Sequence, residues 1–149
     1  MSERQQLKDI VYLRTAIEIS KLSTCQFTSV GAVLVDANGY VRGVSYNGTP
    51  SNISHCTTHV MTRDEHLQYA NDYEIHAEMN LMLSIDSATT KGATVYTNIS
   101  PCNNCLKHMA QKGIKRVVTS SIYWRSSKEE VSNNCNKYGI EFSLIDLEK

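Results

Sequence analysis

The sequence predicts an α/β domain of three layers, with helices on both faces of a five-stranded mixed sheet. Three observations predict it. Two short runs rich in β-branched residues flank Asp36-Ala37-Asn38-Gly39, which is a hairpin signature. From Ile75 onward, segments of helical period alternate with short apolar strands, a pattern that requires parallel pairing through crossover helices. With 149 residues and 41% apolar composition, the chain suffices for one core and one domain, residues 1–149.

Leu7, Ile10, Leu13 and Ile17 recur at helical spacing over residues 5–22, and Ser23-Thr24 stops that helix. Val30 to Val35 reads as a buried strand and Tyr40 to Tyr46 as its hairpin partner. Residues 47–74 are polar, with Gly48, Pro50 and few large aliphatics; Arg63 to Ala70 forms a short helix within them. A segment of that length is no idle connection in a compact domain, and it points to binding. Ile75, Met79, Met82 and Ile85 mark a third helix, and Ala93 to Ile99 a strand. Leu106, Met109 and Ala110 mark a helix closed by Gly113, followed by a strand at Lys115 to Ser120. Ser127 to Tyr138 is a helix closed by Gly139, and Ile140 to Ile145 is the last strand. The expected sheet is an antiparallel hairpin extended by parallel strands.

Fifteen basic residues balance fifteen acidic ones, so no net field draws the chain to a polynucleotide or an anionic membrane. The small basic group Lys112, Lys115 and Arg116 reads as a solvated corner. Apolar runs are too short for a membrane span, and the polar start Met1 to Gln6 shows no secretory signal; a cytoplasmic chain is expected. Five cysteines are an odd number for a disulfide framework and read better as metal ligands or redox groups.

The chemistry concentrates in His76-Ala77-Glu78 and Ser100-Pro101-Cys102-Asn103-Asn104-Cys105, each opening a helix, with a strand between them. Ser100 suits an N-cap and Pro101 the first helical position, which puts both thiols in the first turn, where the dipole favours thiolate. His76, Cys102 and Cys105 are a soft three-ligand set for Zn²⁺ with a fourth position left to solvent, as in catalytic zinc sites. Two thiolates already cancel the cation's charge. Glu78 is therefore free to move protons. A lone Cys-x-x-Cys also occurs in redox proteins and in structural zinc modules, but neither gives the preceding His-x-Glu a role. The order His-x-Glu, strand, Pro-Cys-x-x-Cys is the signature of zinc nucleobase deaminases.

On Thr24-Cys25, Tyr46-Asn47-Gly48-Thr49-Pro50, His76-Ala77-Glu78-Met79-Asn80, Pro101-Cys102-x-x-Cys105 and Gly113-Ile114-Lys115, the chain resembles the deoxycytidylate deaminases of the cytidine deaminase superfamily. The resemblance runs from about Thr24 to Leu144. It implies a cytidine deaminase-like fold and conversion of dCMP to dUMP and ammonia, supplying dUMP for thymidylate synthesis. It also implies substrate contacts at Asn47, Asn80 and Tyr123, to which the sequence adds Arg125 as a guanidinium for the 5′-phosphate. Similarity to phage members implies a second, structural zinc held by Cys25, Cys56, His66 and Glu74, stapling the polar insert 47–74; His55 and His59 are rival ligands. The resemblance further implies a homo-oligomer, commonly a hexamer. In it dCTP with Mg²⁺ activates, dTTP inhibits, and Tyr46, Asn47 and Gly48 sense the effector. The competing readings are a deaminase of another base, such as guanine or a tRNA adenosine, and a non-catalytic zinc module.

Overall fold

The computed structural model describes residues 1–56 and 61–148. Its elements are α1 (Glu3–Ser20), β1 (Gly31–Val35), β2 (Val41–Tyr46), α2 (Arg63–Tyr73), α3 (Ala77–Ser84), α4 (Ser87–Thr90), β3 (Thr94–Thr97), α5 (Asn103–Gln111), β4 (Arg116–Thr119), α6 (Lys128–Lys137) and β5 (Glu141–Leu144). The expected elements are all present. The short α4, which Asp86 caps through its side chain, has no sequence period to announce it.

The sheet has the order β2-β1-β3-β4-β5. β1 pairs antiparallel with both β2 and β3, whereas β3, β4 and β5 run parallel. The strand added directly to the hairpin is thus antiparallel to it, and parallel pairing begins one strand later than expected.

Strand alternation divides the core between two faces. Ala32, Leu34, Val95 and Val117 pack against α3, α5 and α6 through Leu81, Leu106 and Val131, whereas Val33, Val35, Tyr96 and Val118 pack against Leu13 and Ala16 of α1. Three layers result. Cys135 lies in the first of these cores, fully buried.

The buried stripe of α1 differs from the expected one. Asp9, Leu13, Ala16 and Ser20 face the sheet, while Leu7 is 49% exposed. Ala16 and Ser20 are small enough to let β1 approach closely at Gly31, where any Cβ would strike the Ala16 carbonyl and the Ser20 amide. Asp9 is held by a partner the chain supplies over a hundred residues later. Arg116 Nη1 and Nη2 donate to its two oxygens at 2.9 and 2.8 Å, and Tyr96 Oη donates at 2.7 Å. Arg116 is therefore buried, and the basic corner is corrected: Lys112 also turns inward, its Nζ donating to the Ile85 carbonyl at 2.5 Å.

Helix ends follow the sequence except at α5. Gly113 and Gly139 close α5 and α6 at φ +82° and +69°. At the start of α5 the N-cap is Cys102, not Ser100, and Pro101 precedes the helix. The Ser100 hydroxyl is engaged elsewhere, accepting from the Tyr123 amide at 2.9 Å, so the helix begins two residues later. Cys102 then stands at the cap and Cys105 in the first turn.

Candidate active site

β3 and β4 end side by side, and the connections leaving their carboxyl ends carry Cys102 and Tyr123. β1 runs antiparallel on the other side of β3, so this end of β3 is the switch point where α/β folds place their ligands. Two helices begin here without a side-chain cap. His76 is the N-cap of α3 and Cys102 of α5; both have extended backbones, and neither side chain bonds its own helix. Both point at each other instead.

His76 Nδ1 lies 3.3 Å from Cys105 Sγ and 3.5 Å from Cys102 Sγ, so a single nitrogen faces both sulfurs. The three donor atoms fall within 4.8 Å of one another. The Cys102 thiol is pulled down to about 4, first by the hydrogen bond from Cys105 and then by His76, against the opposing effect of burial. Cys105 is pushed up by the same hydrogen bond and by burial. His76 is raised to about 9, chiefly by its bond to the Cys102 sulfur. One imidazole and two sulfurs fit zinc by donor chemistry.

Glu78 belongs to the first turn of α3 and is 3% exposed. It is not among the converging donors. Burial raises its carboxyl above the usual range, the direction that suits a general acid–base group.

A cavity of about 460 Å³ opens onto His76, Glu78 and Cys102. Asn47, Tyr123 and Arg125 line it. Asn47 is also pinned: its Oδ1 accepts from the Val30 amide at 2.9 Å, and its Nδ2 donates to the Thr28 carbonyl at 2.8 Å. Asn80 does not line this cavity; its Nδ2 donates to the Tyr46 carbonyl at 3.0 Å, tying the 46–48 loop to α3. Gly48 pairs with Ile75 through two backbone bonds of 3.1 and 2.8 Å, and Tyr46 is 40% exposed. Three lining residues carry no sequence signal that singled them out: Phe27, Arg63 and Trp124. The nearest clue is that Trp124, the only tryptophan in the chain, adjoins Arg125.

The second cluster forms as expected. Cys25, Cys56, His66 and Glu74 each offer a donor atom within 4.8 Å of the others, joining residues up to 49 apart in sequence. Cys25 Sγ is 3.2 Å from His66 Nε2, which is 3.3 Å from Glu74 Oε1. The Gln26 amide donates to Cys56 Sγ at 3.1 Å. Burial pushes the Cys25 thiol up to about 12 and raises Cys56 as well. Glu74 Oε2 is buried with no hydrogen-bond partner among the described residues, a cost that a cation would remove. Two sulfurs, a nitrogen and a carboxylate are four donors, the number that a closed, four-coordinate zinc site uses. His55 is outside this quartet, and His59 lies outside the described residues.

The family described as "Cytidine and deoxycytidylate deaminase zinc-binding region" matches residues 6–121. The chain belongs to that family. A deoxycytidylate deaminase from Mus musculus is 33% identical over 106 residues, 68% of this chain and 58% of the mouse protein. The chain therefore matches little more than half the length of that relative. One from Mycobacterium phage D29 is 34% identical over 118 residues, 74% of this chain and 91% of the phage protein. The dCMP deaminase of cyanophage S-TIM5, crystallised in complex with dCMP and dUMP, superposes with a TM-score of 0.76 at 27% identity. It covers 97% of this chain and 99% of its own. The fold of this family member is thus the cytidine deaminase-like one, and its zinc-binding region contains His76, Cys102 and Cys105.

No helix among the described residues is long and apolar enough to cross a membrane.

Proposed function

We propose that the chain is a zinc-dependent deoxycytidylate deaminase that converts dCMP and water to dUMP and ammonia. One observation carries the reading: a buried carboxyl, Glu78, stands beside a His-Cys-Cys donor set without joining it, at the inner end of a nucleotide-sized cavity. A purely structural zinc would take a fourth protein ligand. The S-TIM5 relative, whose complex holds dCMP and dUMP, supports the choice of substrate.

His76 Nδ1 and the Cys102 and Cys105 sulfurs would hold zinc. The bound ion supplies Lewis-acid chemistry that makes water nucleophilic near neutral pH. Glu78 takes one proton from that water and places it on pyrimidine N3 as C4 is attacked. It then carries the second proton to the departing amine, so that ammonia leaves and the 4-oxo product remains. Its burial serves both halves, because a carboxyl with a raised pKa holds the proton between them. Tyr123 and Arg125 contact base, sugar or phosphate from the cavity wall; Asn47 shapes the wall, and Asn80 acts on it through the 46–48 loop.

The second donor set holds a structural zinc that staples the insert, about 47–74, within a single domain, 1–149; the buried Glu74 oxygen, which has no hydrogen-bond partner among the described residues, supports this. We place the protein in the cytoplasm, where a reducing poise keeps its five free thiols available to metal. The family resemblance supports a homo-oligomer, a hexamer, regulated at Tyr46, Asn47 and Gly48 by Mg²⁺-dCTP as activator and dTTP as inhibitor.

The test is ammonia release from cytosine, deoxycytidine, dCMP, dCTP, adenosine and guanine, with turnover expected on dCMP. Glu78→Gln should keep its zinc and lose about 10²–10⁴-fold in turnover, the usual worth of a positioned proton carrier. Near-normal turnover in that variant would falsify the assignment of Glu78.

A further inference from the structure

The rim of the cavity carries two cations that no carboxylate neutralises among the described residues. Arg63 opens α2, and Arg125 lies in the turn after β4; neither forms an ion pair among the described residues. Both guanidiniums rest on one indole. Arg63 Cζ is 5.2 Å and Arg125 Cζ 4.5 Å from the centre of the Trp124 ring, and Arg63 also lies 5.5 Å from the Phe27 ring. Two like charges gathered on a single ring repel one another, and that arrangement favours an anion between them.

The rest of the cavity says which anion. Its inner end holds Glu78 at 3% exposure, whereas Trp124 at the rim is 59% exposed. A ligand with its reacting base inside would therefore present its far end to the two arginines. The Trp124 turn is fixed to the reacting end: the Tyr123 amide donates to Ser100 Oγ, and Ser100 lies two residues before Cys102. Glu130, the carboxylate that also lines the rim, already accepts from the Ser126 hydroxyl at 2.9 Å. Guanidinium stacked on an aromatic face keeps its edge N–H groups free for bidentate contact with phosphate oxygens.

We propose that Arg63 and Arg125, both mounted on Trp124, form a two-guanidinium seat for the 5′-phosphate monoester of the nucleotide, with Arg63 a specificity-determining residue. This rests on the reading of the cavity as a nucleotide site. It gives the insert a role in selectivity as well as in order. Arg63 stands one helical turn before His66, and both lie against Phe27, His66 with ring centres 4.3 Å apart. The metal quartet that fixes His66 thereby fixes the phosphate grip.

Trp124 is the only tryptophan, so its emission reports the seat directly and without turnover. The zinc-loaded full chain is titrated with dUMP, deoxyuridine and inorganic phosphate. Wild type should bind dUMP about 100-fold more tightly than deoxyuridine, and Arg63→Gln and Arg125→Gln should each cut that ratio about tenfold, as expected for loss of one charge-assisted contact. Arg63→Lys, which keeps the charge but loses the planar fork, should fall between. Inorganic phosphate should perturb the emission of wild type and not of the double variant. A wild-type ratio near one overturns the seat. An unchanged ratio in Arg63→Gln, or an equal weakening of both ligands, overturns the role of Arg63. Ammonia release decides the deaminase reading separately: an intact ratio without turnover on dCMP sinks that reading and leaves the seat standing.

Discussion

Replacing Cys56 by serine tests whether the insert depends on metal. Cys56 is fully buried and holds one corner of the second donor set, where it meets Cys25, His66 and Glu74. A serine oxygen is a far weaker zinc ligand than a thiolate, so the variant should release that ion while His76, Cys102 and Cys105 keep theirs. A ligand present at a hundredfold excess over its dissociation constant stabilises the fold by about 2.7 kcal/mol. In a domain of this size each kcal/mol moves Tm by about 2–4 °C, so loss of the ion should lower Tm by about 5–10 °C. Cys135→Ser is the control, because Cys135 is equally buried but belongs to neither donor set. The assay is zinc per chain by elemental analysis together with thermal unfolding. Two zinc in wild type and in Cys135→Ser, but one in Cys56→Ser, is the expected outcome. One zinc in all three, or two in all three, refutes the second site.

Asp9→Asn should destabilise the fold by about 3–5 kcal/mol at neutral pH, because it leaves the Arg116 charge buried without its counter-ion. Burial raises the Asp9 carboxyl, but the hydrogen bonds from Arg116, Tyr96 and Gln5 outweigh that and hold it below 3.8. A carboxyl depressed in the folded state contributes fully above its unfolded value and loses that contribution as pH falls through the folded one. The gap between wild type and variant, measured by urea unfolding, should hold steady at pH 5–7 and close only below about pH 4; a gap independent of pH refutes this. Cys102→Ser places a good cap where α5 has none, so in chelator it should raise stability by about 1 kcal/mol while one zinc is lost; a less stable metal-free variant counts against it. Regulation predicts that dCMP saturation curves shift left with Mg²⁺-dCTP and right with dTTP, and superimposed curves would remove Tyr46, Asn47 and Gly48 from that role.

What the sequence made legible was local. A helix start carrying His-x-Glu, a second carrying Cys-x-x-Cys, and a hairpin turn are each written in fewer than ten residues, and the structure has all three, the second helix starting two residues later than read. Facts that depend on distant partners were not legible. Nothing around Asp9 announces Arg116, so the buried face of α1 looked like Leu7, Ile10, Leu13 and Ile17, when ion pairing and the close approach at Gly31 select Asp9, Leu13, Ala16 and Ser20. Arg116 looked solvated for the same reason. The cap of α5 was misplaced because Ser100 is the better capping residue by preference, yet its hydroxyl is taken by Tyr123, twenty-three residues on. The Arg63–Trp124 contact is of this kind too, joining the insert to the turn after β4.

That misplaced cap exposes how the site is built. Four helices, α1, α2, α4 and α6, begin with a side chain that bonds their own first turn: Ser2, Thr62, Asp86 and Ser127. The two that do not, α3 and α5, are those whose caps are His76 and Cys102. An absent cap costs about 0.5–2 kcal/mol per helix. The same vacancy leaves the imidazole and the sulfur free to turn away from their helices toward each other, and it leaves the positive ends of two helix dipoles beside groups that must be anionic or electron-rich to hold a cation. The sheet keeps the two helix starts at a fixed separation: α5 follows β3, β3 pairs through β1 with β2, and the start of α3 is tied to the end of β2 by the Gly48–Ile75 bridge and by Ser45 Oγ, which donates to the Ala77 carbonyl at 2.5 Å. Local stability is given up at two helix ends, and a rigid sheet turns that loss into a donor set whose geometry does not depend on either helix being well capped.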